Sequence, residues 1–248
     1  MNAPAPQTFA QLVGWEPAAL PAGTTDTHGT TVLALRYKEG VLMLADRRAT
    51  MGNLIMYDHA EKIGTLDDHT VIAISGSFAR AVDAIRMLKH SFKYYRRMQM
   101  TSMSVEGKLQ EISRSVAANM AASVEGVGLY IPILATYDPA SKGFGIWFFD
   151  GAGARFSNAD YAATGSGSER IRGIFEYLGR TKKPWEQRSL SDVLEDGLHM
   201  LDIAADLDSA TGGFQKVLPA ARILTEKGTR ELTAAELEKA TQAVLAKD

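Results

Sequence analysis

Hydrophobic and polar positions alternate in short blocks along this chain, and the blocks predict strands. Residues 31–37 (TVLALRY) and 41–45 (VLMLA) are mostly apolar, and the turn-forming run Lys38-Glu39-Gly40 joins them. This pattern is typical of a β-hairpin. Four further apolar blocks predict strands at residues 70–75, 133–137, 144–149 and 221–225.

A helical periodicity follows the third predicted strand. From Phe78 to Tyr95, apolar side chains recur at spacings of three and four with charged residues between them, which predicts an amphipathic helix. Further helices are predicted at residues 105–124, 169–178, 191–205 and, after the capping-box sequence Thr233-Ala234-Ala235-Glu236, at the C-terminus. This order of elements indicates an α+β fold. Their apolar faces would all be buried in a four-layer αββα sandwich, with two antiparallel sheets flanked by helices.

The first 29 residues differ in composition from the rest of the chain. Four of the eight prolines lie within the first 21 residues, and a polar, turn-prone run fills residues 23–29. We therefore expect residues 1–29 to be an extension outside the core. Because the first basic residue is Arg36, the extension lacks the positive start of a secretory signal. No apolar run reaches the roughly 18–20 residues that span a bilayer, so we expect a cytoplasmic protein without a membrane partner.

Composition narrows the chemistry. Lys and Arg number 27 against 29 Asp and Glu, so the net charge of −2 gives no electrostatic case for a nucleic-acid partner. The absence of cysteine excludes thiolate nucleophiles and Cys-ligated metals. The five histidines are scattered, and no glycine motif for phosphates or dinucleotides is present. We therefore expect neither a metal nor a cofactor.

A threonine stands at the junction between the extension and the first predicted strand. Cleavage of the Gly29–Thr30 bond would give Thr30 a hydroxyl and a free α-amine on one residue. An α-amine has a pKa of about 7.7–8.0, so near neutral pH part of it can accept the hydroxyl proton and activate the nucleophile. The structural alternative is that threonine simply favours a strand.

Five more segments distinguish these alternatives. Asp46 follows the second strand, Lys62 stands sixteen residues later, and Gly76 ends the third strand. Far downstream lie Gly165-Ser166-Gly167 and the run at residues 208–213 (DSATGG). Taken together from Thr30 to about residue 225, the chain resembles a proteasome β subunit of the bacterial type, a threonine protease of the N-terminal-nucleophile hydrolase superfamily.

The resemblance implies a nucleophile and a charged pair beside it. Thr30 matches the nucleophile, and from it Asp46 and Lys62 fall sixteen and thirty-two positions later, as the family pattern requires. The ammonium of Lys62 would disfavour a second positive charge on the α-amine, and Asp46 would hold that ammonium in place. Taken singly, Asp46 with its neighbouring arginines could also form a surface ion cluster.

Further roles follow from the same match. Ser166, Asp208 and Thr211 match positions that hydrogen-bond the terminal amine, although the family often has serine where Thr211 stands. Gly76 matches the residue whose N–H faces the oxyanion. The structural alternative for residues 165–167 is an ordinary turn.

The resemblance also implies a substrate-binding set. Thr50 matches a position that pairs with the substrate backbone as an added strand. Four other residues match positions near the first specificity pocket and suggest a preference for apolar side chains: Ala49, Ala60, Ile74 and Phe78.

The family further implies a processing step and an assembly. Residues 1–29 would be a propeptide removed autocatalytically between Gly29 and Thr30, and residues 30–248 would be the catalytic domain. Copies of the chain would stack in rings whose interior hydrolyses unfolded proteins. Whether proteasome α subunits and an ATP-dependent unfoldase join the rings is left open. Two alternatives stay open as well: an HslV-like peptidase ring and a catalytically silent ring subunit.

Overall fold

The computed structural model describes residues 29–52, 54–120, 128–158 and 160–246 of the 248-residue chain. The first strands are β1 (Val32–Tyr37), β2 (Gly40–Ala45), β3 (Ala49–Met51), β4 (Leu54–Tyr57), β5 (Ile63–Asp67) and β6 (Thr70–Gly76). The later strands are β7 (Tyr130–Asp138), β8 (Gly143–Phe149), β9 (Arg155–Asn158), β10 (Tyr161–Thr164), β11 (Ala220–Thr225) and β12 (Gly228–Glu231). The helices are α1 (Phe78–Gln99), α2 (Val105–Ala118), α3 (Ser168–Thr181), α4 (Leu190–Leu207) and α5 (Ala234–Leu245), with a 3₁₀ turn at Trp185–Gln187.

The described strands form two five-stranded sheets and one separate hairpin. The first sheet has the order β10-β1-β2-β11-β12, the second has the order β5-β6-β7-β8-β9, and β3 pairs with β4. Every pairing is antiparallel. The chain is therefore an α+β protein with antiparallel sheets, as the order of its elements predicts.

The central strands β1 and β2 of the first sheet are mostly apolar on both faces because both faces are buried. In β1, Val32 and Ala34 belong to a cluster that includes residues of both sheets. The alternate side chains of Leu33 and Leu35 belong to a second cluster, which includes residues of α3, α4 and α5. Successive side chains of a strand point to opposite faces, so two-sided burial explains the nearly continuous apolar run of this strand.

The second sheet divides its side chains in the same way. In β6, Val71 and Ala73 join the cluster shared by the two sheets. Ile72 and Ile74 instead pack with residues of α1 and α2, such as Leu88. The periodicity that predicts α1 thus reports the helix face that covers this sheet.

Helix ends follow from local sequence. The predicted capping box at the C-terminal helix is confirmed, because the Thr233 side chain accepts from the backbone of Glu236 and the Glu236 side chain accepts in return. A second capping box, formed by Ser189 and Asp192, begins α4. Such reciprocal bonds satisfy backbone N–H groups that have no partner within the helix.

The predicted strands and helices are confirmed, with shifted ends. The strand expected from residue 133 begins at Tyr130 and contains Pro132. Proline has no N–H to donate, and β8 pairs with β7 only from Ile133 onward, so Pro132 lies where β7 has a neighbour on one side only. The second helix ends at Ala118, and the predicted stretch 121–124 lies outside the described residues.

Six short strands were not predicted. They are β3, β4, β5, β9, β10 and β12, which are three to five residues long. Runs of this length are too short to show a clear period, and their pairing partners supply the hydrogen bonds that define them.

Two expectations concern the chain ends and the membrane. The predicted extension falls almost wholly on residues 1–28, which lie outside the described residues. Within the described parts of the chain, none of the helices has the length and hydropathy that crossing a bilayer requires.

Replacement of Phe175 by alanine should strongly destabilise the fold. Phe175 is buried, lies in the cluster beneath α3 and stacks on Tyr161 with ring centroids 4.3 Å apart. Phe175→Ala should lower the free energy of unfolding by about 3–5 kcal/mol. Tyr177→Ala is the control, because Tyr177 lies on the same helix and is 65% exposed. Denaturant unfolding of the full chain checks the difference, and equal losses in both variants would contradict this account of the core.

Candidate active site

The strand order of the first sheet brings the predicted site together. β2 and β10 are the two antiparallel neighbours of β1, so both end where β1 begins. The end of β2 therefore places Asp46 beside Thr31, whose carbonyl accepts from the Asp46 N–H at 3.1 Å. The loop after β10 carries Ser166 to the same place, next to Thr30. Sheet topology thus assembles residues that are up to 136 positions apart in the sequence.

A buried ion pair occupies one side of the site. The Lys62 Nζ donates to Asp46 Oδ1 at 2.7 Å and to the Arg48 carbonyl at 2.6 Å. The side chains of Lys62 and Asp46 are only 2% and 0% exposed. Burial lowers the pKa of Lys62 below its ordinary value, although the Asp46 carboxylate acts in the opposite direction.

The Asp46 carboxylate accepts more than the lysine proton. Its Oδ1 also accepts from the Thr31 N–H at 2.8 Å. Its Oδ2 accepts from the N–H groups of Arg48 at 3.0 Å and Gly212 at 2.9 Å. These bonds compensate the carboxylate for its complete removal from water.

A second carboxylate, Asp208, is linked to the nucleophile candidate through Ser166. Asp208 Oδ2 accepts from Ser166 Oγ and from Thr211 Oγ1, each at 2.6 Å, and Asp208 Oδ1 accepts from the Ala210 N–H at 3.2 Å. Burial acts to raise the pKa of Asp208, but these hydrogen bonds together outweigh it and hold the pKa below its ordinary value. The group is therefore held as a carboxylate that accepts hydrogen bonds from both hydroxyls.

Thr30 is buried, and it contacts the Asp208 network through Ser166. Its hydroxyl donates to the Gly29 carbonyl at 2.6 Å, and its N–H donates to Ser166 Oγ at 3.4 Å. The Gly29 N–H donates to Thr50 Oγ1 at 3.0 Å. The predicted cleavage point is therefore held from both sides by side chains that the sequence analysis names.

Two glycines near the site lie where a side chain would collide with neighbouring backbone. Gly76, at the end of β6, has φ +94°, and a Cβ there would overlap the carbonyl of Leu129. Gly165 has φ +102°, and a Cβ there would overlap the carbonyl of Thr30. Both conformations favour glycine. The family resemblance predicts that the Gly76 N–H faces the oxyanion, whereas Gly165 is predicted only as part of the motif at residues 165–167.

The structure links the predicted substrate-binding residues to the site unevenly. Thr50 contacts Gly29 directly, and Ala49 precedes it in β3. Ala60 is buried, and its N–H donates to the Arg47 carbonyl at 2.9 Å. Ile74 donates its N–H to the Lys62 carbonyl, while its side chain packs towards α1 and α2. Phe78 is the half-buried first residue of α1.

Arg48 has a role that the sequence does not predict. Its Nη1 donates to the carbonyls of Ser209 at 3.1 Å and Thr211 at 3.2 Å, and its Nε pairs with Asp58 at 3.2 Å. The guanidinium therefore ties the end of β2 to the loop after α4. The only sequence signal for this contact is the double arginine after Asp46, which by itself is equally consistent with a surface ion cluster.

Comparisons with known proteins match the chain to proteasome subunits. A family model described as "Proteasome subunit" matches residues 26–217. The chain is 33% identical to the proteasome subunit beta of Acidothermus cellulolyticus over 237 residues, which cover 92% of this chain and 77% of the relative. It is 33% identical to proteasome subunit beta 1 of Streptomyces avermitilis, covering 85% of this chain and 74% of the relative. It is 32% identical to the subunit beta of Streptosporangium roseum, covering 93% and 80%.

Removal of the Asp46 charge should cost much more stability than removal of an exposed carboxylate. Asp46→Asn leaves the buried ammonium of Lys62 without its counter-charge, so the free energy of unfolding should fall by about 3–5 kcal/mol. The control is Asp68→Asn, because Asp68 pairs with Arg96 at 3.1 Å with both side chains exposed. That variant should lose less than about 1 kcal/mol. Denaturant unfolding compares the two, and a loss in Asp46→Asn as small as in the control would contradict the role of the buried pair.

Proposed function

The chain belongs to the proteasome β-subunit family, and from this membership we propose that it is a threonine endopeptidase whose nucleophile is Thr30. The family supports a peptidase subunit of a proteasome. The observation that carries the finer proposal is the pair of carboxylate-centred networks around the Gly29–Thr30 bond. One network contains Lys62 and Asp46, and the other contains Ser166 and Asp208.

Activation begins with cleavage of the chain by its own threonine. Thr30 Oγ1 attacks the Gly29 carbonyl carbon, the peptide bond to the Thr30 nitrogen breaks, and the hydroxyl proton passes to that nitrogen. The acyl group is then held on the oxygen as an ester. Water then hydrolyses the ester, which releases residues 1–29 and leaves a free amine on Thr30. The 2.6 Å contact between Thr30 Oγ1 and the Gly29 carbonyl oxygen supports this step, since it holds the two reacting groups together.

Peptide hydrolysis uses the same oxygen with the freed amine as base. The amine accepts the Thr30 hydroxyl proton as the oxygen attacks a substrate carbonyl, and it gives this proton to the leaving amine as the peptide bond breaks. Water then hydrolyses the acyl-enzyme ester and restores the Thr30 hydroxyl. The ammonium of Lys62 disfavours protonation of this amine and favours the developing alkoxide. Asp46 keeps that ammonium in place. Ser166, Asp208 and Thr211 bind the amine and orient its lone pair towards the hydroxyl.

Substrate binding would take place along the edge of β3. Thr50 already bonds to the N–H of Gly29, which precedes the bond to be cut, and this supports a role in aligning a substrate strand. The Gly76 N–H would face the oxyanion. Apolar residues would form the first specificity pocket: Ala49, Ala60, Ile74 and Phe78.

The same proposal covers the architecture and the assembly. Residues 1–29 are a propeptide, and residues 30–248 form the catalytic domain, with the four-layer αββα sandwich of N-terminal-nucleophile hydrolases. Three apolar clusters support the layering, one shared by the two sheets and one between each sheet and its helices. Copies of the chain form stacked rings that enclose the nucleophiles and degrade unfolded proteins. The β-subunit relatives favour this particle over an HslV-like one.

Purified wild-type protein should begin at Thr30. Intact mass and N-terminal sequencing should show loss of residues 1–29, and a probe that reacts with N-terminal threonine should label the processed chain. Thr30→Ala should fold and assemble but stay full length and inactive, because it has no hydroxyl to attack Gly29. A wild-type chain that assembles, stays full length and takes no label would favour the silent ring subunit. Turnover by Thr30→Ala would exclude Thr30 as the nucleophile.

Lys62→Met should abolish both processing and peptide hydrolysis, because the site loses its only described ammonium. Lys108→Met is a matched control. Lys108 is also a buried lysine, 4% exposed, and pairs with Asp67 at 2.8 Å and with Thr70 at 2.9 Å in a different part of the fold. The control should lose stability but retain processing and turnover. Intact mass and hydrolysis of a fluorogenic peptide measure both effects, and equal activities of the two variants would contradict the proposed role of Lys62.

A further inference from the structure

Thr31, the residue after the proposed nucleophile, contacts both carboxylate networks of the site. It is completely buried. Its N–H donates to Asp46 Oδ1 at 2.8 Å, on the same oxygen that accepts from Lys62. Its hydroxyl lies 2.7 Å from Thr211 Oγ1, which is 180 positions away in the sequence. One residue therefore connects the lysine side of the site to the side that faces the Thr30 nitrogen.

The chemistry of the partners determines the direction of the hydroxyl bond. Asp208 is a carboxylate and can only accept, so Thr211 uses its single proton in the 2.6 Å bond to Asp208 Oδ2. Thr31 must then donate to Thr211 Oγ1. Ser166 likewise donates its hydroxyl hydrogen bond to Asp208 Oδ2, so its oxygen can accept a hydrogen bond from the Thr30 N–H. The five groups form a closed ring, because Thr30 and Thr31 are covalently joined.

The surrounding space is shaped for this pair of hydroxyls. Gly167 lies against them, and a Cβ at that position would overlap Thr31 Oγ1 and come within 2.7 Å of Thr211 Oγ1. Removal of the Thr31 hydroxyl would leave a lone pair of buried Thr211 without a donor, which is costly where water is excluded. Thr211 could recover a partner only by turning away from its present geometry, and Asp208 would then lose one of its donors.

We propose that Thr31 is a positioning residue for the Thr30 nucleophile. Its hydroxyl orients Thr211 and, through it, the Asp208–Ser166 pair, while its N–H fixes Asp46. The Asp46 and Asp208 networks are thereby held in fixed positions relative to Thr30. This inference rests on the proposed function, since it assigns Thr31 to the site at which Thr30 reacts.

The test separates the hydroxyl of Thr31 from its methyl group in the full-length chain. Thr31→Ser removes the methyl group and retains the hydroxyl, whereas Thr31→Ala removes both. Thr31→Val replaces the hydroxyl by a methyl of similar size. Thr136→Val is the control for loss of a buried hydroxyl elsewhere, because Thr136 is 2% exposed and bonds to Trp147 at 3.3 Å. Intact mass follows processing, and a fluorogenic peptide gives kcat and KM of the processed chains.

We expect kcat to fall roughly ten- to a hundredfold in Thr31→Val and Thr31→Ala, with KM within about twofold of wild type. Thr31→Ser and Thr136→Val should keep kcat within about threefold of wild type. Retention of residues 1–29 by Thr31→Val, with normal processing of Thr31→Ser, supports the same role because the same site makes the cut. If Thr31→Val does not fold, the comparison of Ser with Ala decides.

Two results would overturn the inference while leaving the proposed function intact. One is a wild-type kcat in Thr31→Val or Thr31→Ala, and the other is an equal loss in Thr31→Ser and Thr31→Ala, which would assign the effect to the methyl group. If the wild-type chain itself stays unprocessed and inactive, the proposed function fails and the positioning role fails with it.

Discussion

The buried carboxylate of Asp46 is the contact on which the geometry of the site depends. It accepts from the Lys62 ammonium and from three backbone N–H groups, those of Thr31, Arg48 and Gly212. A charge without access to water is tolerable only when such partners surround it. The donors come from the segment before β1, the end of β2, the approach to β5 and the loop after α4. The Asp46 carboxylate receives all four hydrogen bonds only when these four segments have packed together. Burial of its charge therefore depends on assembly of the site.

The two carboxylates of the site, Asp46 and Asp208, have different surroundings. Asp46 is enclosed with Lys62, where burial lowers the pKa of the ammonium and the carboxylate opposes that shift. Asp208 is less enclosed and is kept ionised by hydroxyl and backbone donors. Thr30 contacts Ser166 of the Asp208 network, and its neighbour Thr31 bonds to both networks. The family membership supplies the class of reaction, and these contacts indicate how this chain would carry it out.

Much of the fold was accessible from local patterns. β1, β2, β6 and the five helices have runs long enough to show a period of two or 3.6, or an apolar run that two-sided burial demands. The four-residue strand β10 shows neither. It becomes a strand because Thr164 pairs with Val32 at the start of β1, more than a hundred residues earlier. Similarly, the continuation of β7 through Pro132 depends on which edge of the strand lacks a neighbour.

For the site, the sequence by itself determined the residue types and their spacing: a threonine after a proline-rich segment, and an aspartate and a lysine sixteen and thirty-two positions after it. Those features lie along one stretch of chain and can be recognised without coordinates. Only the tertiary structure decided which groups form hydrogen bonds with one another. The hydrogen bond between Thr31 and Thr211 joins positions 180 residues apart in the sequence. The hydrogen bonds of Arg48 to the loop after α4 have similar sequence separations, 161 and 163 residues. Hydrogen bonds act over about 3 Å, so such contacts exist only after the sheets have packed.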